Sequence, residues 1–205
     1  MIRALILAAL LLSGSPARAE RFSFAVFGET PTGAEARAAL PAMLSAIGQS
    51  GASFAVHIGD LREAEERCDD DATQKHFTLL NGSALPLIPV PGSMDWADCY
   101  RRAAGAFVAT EQLEALRRIF FAKGEALGPA GCRLERQSEI AFDHAAYAEH
   151  LRWRQGTVLF VSLNLPAGDN GWSGARQGGA EYRNRMAAVR DWLERAFALA
   201  TKEKL

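Results

Sequence analysis

Cysteine is scarce in this chain, and no Cys-x-x-Cys pair occurs. Cys68, Cys99 and Cys132 stand apart, with no close Cys/His pair. That spacing argues against a zinc site. A basic excess is also missing: 23 Lys and Arg face 24 Asp and Glu, for a formal net charge of −1. Bulk attraction to nucleic acid or to anionic lipid is therefore excluded. Beyond the N-terminal run, no apolar stretch is long enough to cross a bilayer. There is no internal repeat and no low-complexity tract. The acidic run Asp69-Asp70-Asp71 after Cys68 lacks the glycine and the distal glutamate of a calcium loop, and reads as a solvated loop.

The beginning of the chain reads as a secretory leader. Arg3 supplies a positive start, residues 4–12 form a short apolar run, and Ala17-Arg18-Ala19 is a small-x-small cleavage site. Cleavage after Ala19 makes residues 1–19 a signal peptide and Glu20 the new N-terminus. Residues 20–205 then suit one domain with a sizeable core. The expected location is the periplasm or the cell exterior, with no membrane attachment after cleavage. Export places the cysteines in an oxidising compartment, where one disulfide and one leftover thiol are expected. Spacing alone leaves open which two pair.

Hydrophobic periodicity predicts strands over residues 21–28, 52–58 and 85–90. Helices are expected over 33–48, with Pro41 marking a break or a late first turn, over 71–80 with Asp71 or Thr73 as cap, and over 111–121. Leu113, Leu116, Phe120 and Phe121 form the apolar face of the last of these. Residues 122–136 read as irregular. Residues 151–163 read as a hairpin turning at Gln155-Gly156, followed by a glycine-rich loop over 166–179. The final helix, 181–200, carries a stripe of Met186, Val189, Leu193 and Phe197. Strands alternating with helices indicate an α/β domain with a partly parallel sheet flanked by helices.

Each of the first three strands ends in a glycine followed by polar residues: Gly28-Glu29-Thr30, Gly59-Asp60-Leu61 and Gly92-Ser93-Met94-Asp95. Glycine lets the backbone turn sharply off the strand. In such sheets ligands bind beyond the carboxyl ends of the strands, so the three loops would converge. Carboxylates gathered there form a hard-oxygen site suited to divalent cations and phosphate.

These segments, FAVFGET, FAVHIGD and PLIPVPGSMDWADC, resemble the first three motif blocks of the calcineurin-like metallophosphoesterases. The nearest likeness is to an exported bacterial branch whose third block ordinarily reads Gly-Asp-Asn-Glu-Trp-x-Asp-Cys. LERQSE, LRWRQGTVLFVSLNLPAGDNG and the alanine-rich last helix are similar to that branch too, so the likeness spans nearly all of residues 20–205. It implies a metallophosphoesterase-like sheet, incomplete at the C-terminus. It also implies hydrolysis of a small phosphate mono- or diester with a divalent metal, manganese, iron, zinc or magnesium.

Matched position by position, the family's first aspartate is Glu29 here, and Pro31 stands where a histidine often follows. The second block's bridging aspartate is Asp60. The third block's asparagine ligand is replaced by Met94, a thioether unsuited to the cations of this family. Asp95 matches the family's glutamate, which is not itself a ligand. Asp95 and Asn170, the latter in Gly168-Asp169-Asn170-Gly171, are placed at the site edge. The resembled branch carries cysteines at both Cys68 and Cys99, which makes these two the expected disulfide. The family's histidine ligands lie in blocks beyond the final helix. The expectation is a metal weakly held or absent at Glu29 and Asp60, with little or no hydrolysis. The alternative is a non-catalytic exported binding module or relic on the same scaffold. His57 is expected to be a hydrogen-bonded histidine near the site, and His76, His144 and His150 to be structural or on the surface. Arg101-Arg102 read as surface arginines.

Overall fold

The computed structural model describes residues 21–29, 33–129, 132–171 and 179–205. The leader, its cleavage site and Pro31 lie outside the described residues. Apolar, β-favouring runs form three short strands, β1 (Phe24–Phe27), β2 (Phe54–His57) and β3 (Leu87–Pro89). They are parallel, in the order β1-β2-β3, with Phe24 opposite Phe54 and Ala55 opposite Leu87. The central strand β2 is buried along its whole length, as a parallel strand covered on both faces should be.

The helices α1 (Gly33–Gln49) and α2 (Asp70–Asn81) are the crossovers between these strands. Pro41 lies inside α1 and does not end it. One backbone hydrogen bond is given up there, while Leu40 and Leu44 on either side of it are buried in the core. The cap of α2 is Asp69 rather than Asp71 or Thr73: its backbone is extended and its Oδ1 accepts from the Ala72 N–H at 3.0 Å. The acidic run after Cys68 therefore builds a helix start instead of a solvated loop, with Asp70 and Asp71 in the first turn, where the helix dipole favours negative charge. In α3 (Ala109–Phe120), Leu113, Leu116 and Phe120 are buried, as is Phe121 just past its end, and Phe120 meets Phe77 of α2 edge-on at 5.5 Å.

A second, antiparallel sheet consists of β4 (Glu135–Arg136), β5 (Leu151–Gln155) and β6 (Val158–Val161). β5 and β6 are the expected hairpin, with Trp153 opposite Phe160. β4 falls where irregular chain was expected. It is short and charged, and it is held by pairing rather than by propensity: Arg152 Nε on β5 donates to Glu135 at 2.7 Å. The short helix α4 (Gln137–Ile140) follows β4 directly. The two sheets meet through aromatic rings. Phe54 packs on Trp153 at 5.7 Å and on Phe160 at 5.2 Å, and Phe24 packs on Phe160 at 5.2 Å.

The last helix, α5 (Gly179–Glu203), buries Arg185, Ala188, Val189, Trp192 and Ala196. The expected stripe is displaced: Phe197 is 70% exposed. Trp192 sets the buried face by donating from Nε1 to Leu151 O at 3.2 Å and stacking under the Arg152 guanidinium at 4.6 Å. Among the described residues no helix is long and apolar enough to cross a membrane. The architecture is thus mixed α/β, with a three-stranded parallel sheet flanked by helices.

Candidate functional site

The three strand-end loops are tied together by hydrogen bonds. The Glu29 N–H donates to Gly59 O at 3.1 Å, joining the first loop to the second. The second and third approach so closely that a Cβ on Gly59 would lie 2.2 Å from the Gly92 nitrogen, and one on Gly92 would lie 2.4 Å from Asp60 Oδ1. Only glycine fits at either position. Glu29 (φ 50°) and Asp60 (φ 58°) both adopt the left-handed conformation, which disfavours side chains larger than Asn or Asp and is concentrated at functional sites.

Asp95 knits this junction. Its Oδ2 accepts from the Asp60 N–H at 2.9 Å and the Gly92 N–H at 2.8 Å, while its Oδ1 accepts from the Leu61 N–H at 2.8 Å. The Asp60 carboxylate in turn accepts the Met94 N–H at 2.8 Å through Oδ1. Burial pushes the Asp60 pKa above the usual aspartate value; the Met94 N–H opposes this, the charges of Asp95 and Asp98 add to it, and Arg62 opposes it again. Arg62 is buried, with Nε donating to Met94 O at 2.8 Å. His57, buried under the second loop, accepts the Gly59 N–H on Nδ1 at 3.1 Å.

Cys68 and Cys99 form a disulfide, with their Cα atoms 5.5 Å apart and a sequence separation of 31, so the second and third loops are also joined covalently. A closure of that length contributes about 3–4 kcal/mol in the chain-entropy picture. Cys132 is a half-buried thiol, and burial pushes its pKa up.

Asn170 sits farther along, also in a left-handed conformation. Its Oδ1 and its backbone O accept from Arg185 of α5 at 2.6 and 2.9 Å. The segment before it touches the third loop, where the Ala167 N–H donates to Ser93 Oγ at 3.0 Å. Between them opens a cavity of about 930 Å³. Ser93, Trp96, Tyr100, Phe107, Thr110 and Arg185 are among its lining residues. The sequence reading missed this cavity. Its one visible signal was the aromatic content of the third loop, Trp96 and Tyr100. Arg101, read as a surface arginine, lines it too and pairs with Asp98 at 3.1 Å. Of the other histidines, His76 Nε2 lies 3.1 Å from Glu66, and His150 is fully buried against Gln137 at 2.7 Å.

The donor set does not fit a two-metal centre. Both oxygens of Asp95 are taken up by backbone N–H groups, and one oxygen of Asp60 is as well. Met94 offers only a soft thioether. Among the described residues, no three His, Cys, Asp or Glu side chains gather so as to hold a metal ion. Comparison of the chain with known protein families, with curated proteins and with solved structures gives no match.

Proposed function

We propose that this chain is an exported relative of the calcineurin-like metallophosphoesterases that binds a divalent cation weakly at Asp60 and Glu29 and supports little or no hydrolysis of phosphate esters. One observation carries this reading: the carboxylates at the strand ends are spent on the chain's own backbone amides, Asp95 wholly and Asp60 in part. Two carboxylates without imidazole partners leave most of a cation's shell to water, so the ion is loosely held. The burial and like-charge repulsion that raise the Asp60 pKa supply the reason it would accept a cation at all. The Cys68–Cys99 disulfide suits an oxidising compartment.

A second reading, a non-catalytic binding module using the same face, is favoured by the cavity of about 930 Å³ beside the third loop, which is within the range of small-molecule sites.

Calorimetric titration with manganese and with zinc, alongside turnover of a generic aryl phosphate ester, tests the first reading. The wild type should bind metal weakly and turn over little or nothing. Met94→Asn with Glu29→Asp should tighten binding while restoring little turnover. Tight binding of two metals by the wild type, with turnover that chelation abolishes, would reverse the conclusion.

A further inference from the structure

We propose, building on the weak-metal reading of the strand-end site, that Arg62 is a built-in stand-in for a metal ion there: it cross-links the second and third loops and supplies the positive charge that a divalent cation would otherwise bring. Arg62 follows Asp60 by two residues and is 5% exposed. Its Nε donates to Met94 O of the third loop at 2.8 Å. Its Nη1 donates to Glu63 O at 2.8 Å and to Glu66 O, both in the second loop. Backbone carbonyl oxygens are among the ligands a hard cation takes, and here three of them, from two loops, close on the guanidinium. Met94 is shared: its N–H is donated to Asp60 Oδ1 at 2.8 Å, while its O receives Arg62. Met94 thus couples the guanidinium to the carboxylate that a metal would need.

The charges around Arg62 fit that role. Burial works against its charged form, and the charges of Asp95, Glu66, Asp98 and Asp60 favour it. Two of these four have other cationic partners: Asp98 pairs with Arg101 at 3.1 Å, and Glu66 with Arg37 at 3.5 Å. Asp60 and Asp95 are hydrogen-bonded to backbone N–H groups instead, and Arg62 is the cation whose charge is felt at Asp60. Two carboxylates against one guanidinium leave a single negative charge. A divalent cation added beside them overshoots neutrality. It also meets a charge it cannot displace, because three carbonyl oxygens fix the guanidinium. Arginine stays charged near neutral pH, so the repulsion is permanent there.

Arg62→Gln keeps an N–H for Met94 O and removes the charge, whereas Arg62→Lys keeps the charge and loses the planar fork. Calorimetric titration with manganese, on the full chain expressed with its own leader, should show binding tighter by about tenfold for Arg62→Gln than for the wild type. Arg62→Lys should show no gain, and adding Asp60→Asn to Arg62→Gln should cancel the gain. Thermal melts give a second readout. Chelator should leave the wild-type midpoint unchanged, while manganese should raise that of Arg62→Gln, or refold this variant if it does not fold metal-free. Weak wild-type binding with the same affinity in Arg62→Gln leaves the metal reading intact and overturns the role of Arg62. An equal gain in Arg62→Lys shows loosened loops rather than charge, and overturns it too. So does a wild type that chelator destabilises, or an Arg62→Gln chain that is unfolded with and without manganese. A wild type that binds no manganese, beside an Arg62→Gln that binds it through Asp60, defeats the weak-binding reading and upholds Arg62. No binding by either chain defeats both.

Discussion

Asp60 is costly to the fold. It is a half-buried carboxylate in a left-handed backbone conformation, with Asp95 and Asp98 nearby. Its folded pKa lies above the ordinary value of 3.8, chiefly through burial. A carboxyl of that kind holds its proton more tightly in the folded state. Its contribution to stability is therefore greatest at low pH and is lost as pH rises from 3.8 through the folded value. Asparagine keeps an Oδ1 to accept the Met94 N–H and tolerates the left-handed backbone. Asp60→Asn should thus stabilise the chain at pH 7, by less than about 1 kcal/mol because solvent screens a half-exposed group. The gain should shrink in urea titrations at more acid pH, and unchanged or reduced stability at pH 7 would count against the assignment. The glycine-first loops made Asp60 legible in the sequence. Asp95 was legible only as a site-edge position, because the N–H groups that surround it come partly from the second loop, 34 and 35 residues away.

At the scale of elements, three adjacent aspartates compete to start α2, and backbone geometry selects among them. Only Asp69 has the extended φ of −100° and ψ of 170° that let its side chain reach back to the Ala72 N–H. Asp69→Ala should cost about 1 kcal/mol. Asp71→Ala, in the exposed first turn, should cost no more than a few tenths of that. Equal losses from the two in thermal or denaturant melts would remove Asp69 from the capping role. The existence of all three parallel strands, of the four longer helices and of the hairpin was legible from periodicity. Their faces were less so. In α5 the apolar residues Met186 and Phe197 mark one stripe, but Arg185 is drawn inward by Asn164, Asn170 and Glu181, and Trp192 turns the helix onto β5. A buried arginine carries no hydrophobic signal, so the periodicity pointed slightly to one side of the true face. β4 was invisible for a related reason: a two-residue charged strand has no alternation to read.

Across the whole molecule, a buried polar chain supplements the aromatic contact between the sheets. Glu149, just before β5, is fully buried and accepts from Arg117 of α3 at 2.8 and 2.6 Å and from Asn164 Nδ2 at 3.2 Å. Asn164, beyond β6, accepts Trp96 Nε1 of the third loop at 3.1 Å and, through its backbone O, Arg185 Nη1 of α5 at 3.1 Å. Glu149 thus links a helix beside the parallel sheet to the hairpin, to the last helix and to the candidate site. No sequence pattern announces this, since its partners are scattered and of mixed type. Burial pushes the Glu149 pKa upward, but the hydrogen bonds and charge of Arg117 outweigh it and hold the group below the usual value of 4.5. Its stabilising contribution is therefore complete above that value and is lost as pH falls through the folded one. Removing it leaves the buried Arg117, among the described residues, with the largely exposed Glu114 at 2.6 Å as its carboxylate partner and the Tyr147 ring at 5.0 Å. Glu149→Ala should destabilise the chain by about 3–5 kcal/mol, the loss typical of stranding a buried charge. Glu149→Gln should cost less, because one acceptor oxygen remains. The double change Arg117→Met with Glu149→Leu should recover most of the loss, since no charge is then stranded. Denaturant unfolding of the four chains at pH 7 measures all three terms, and a loss under about 1 kcal/mol for Glu149→Ala would show that the network does not hold the two halves of the fold together.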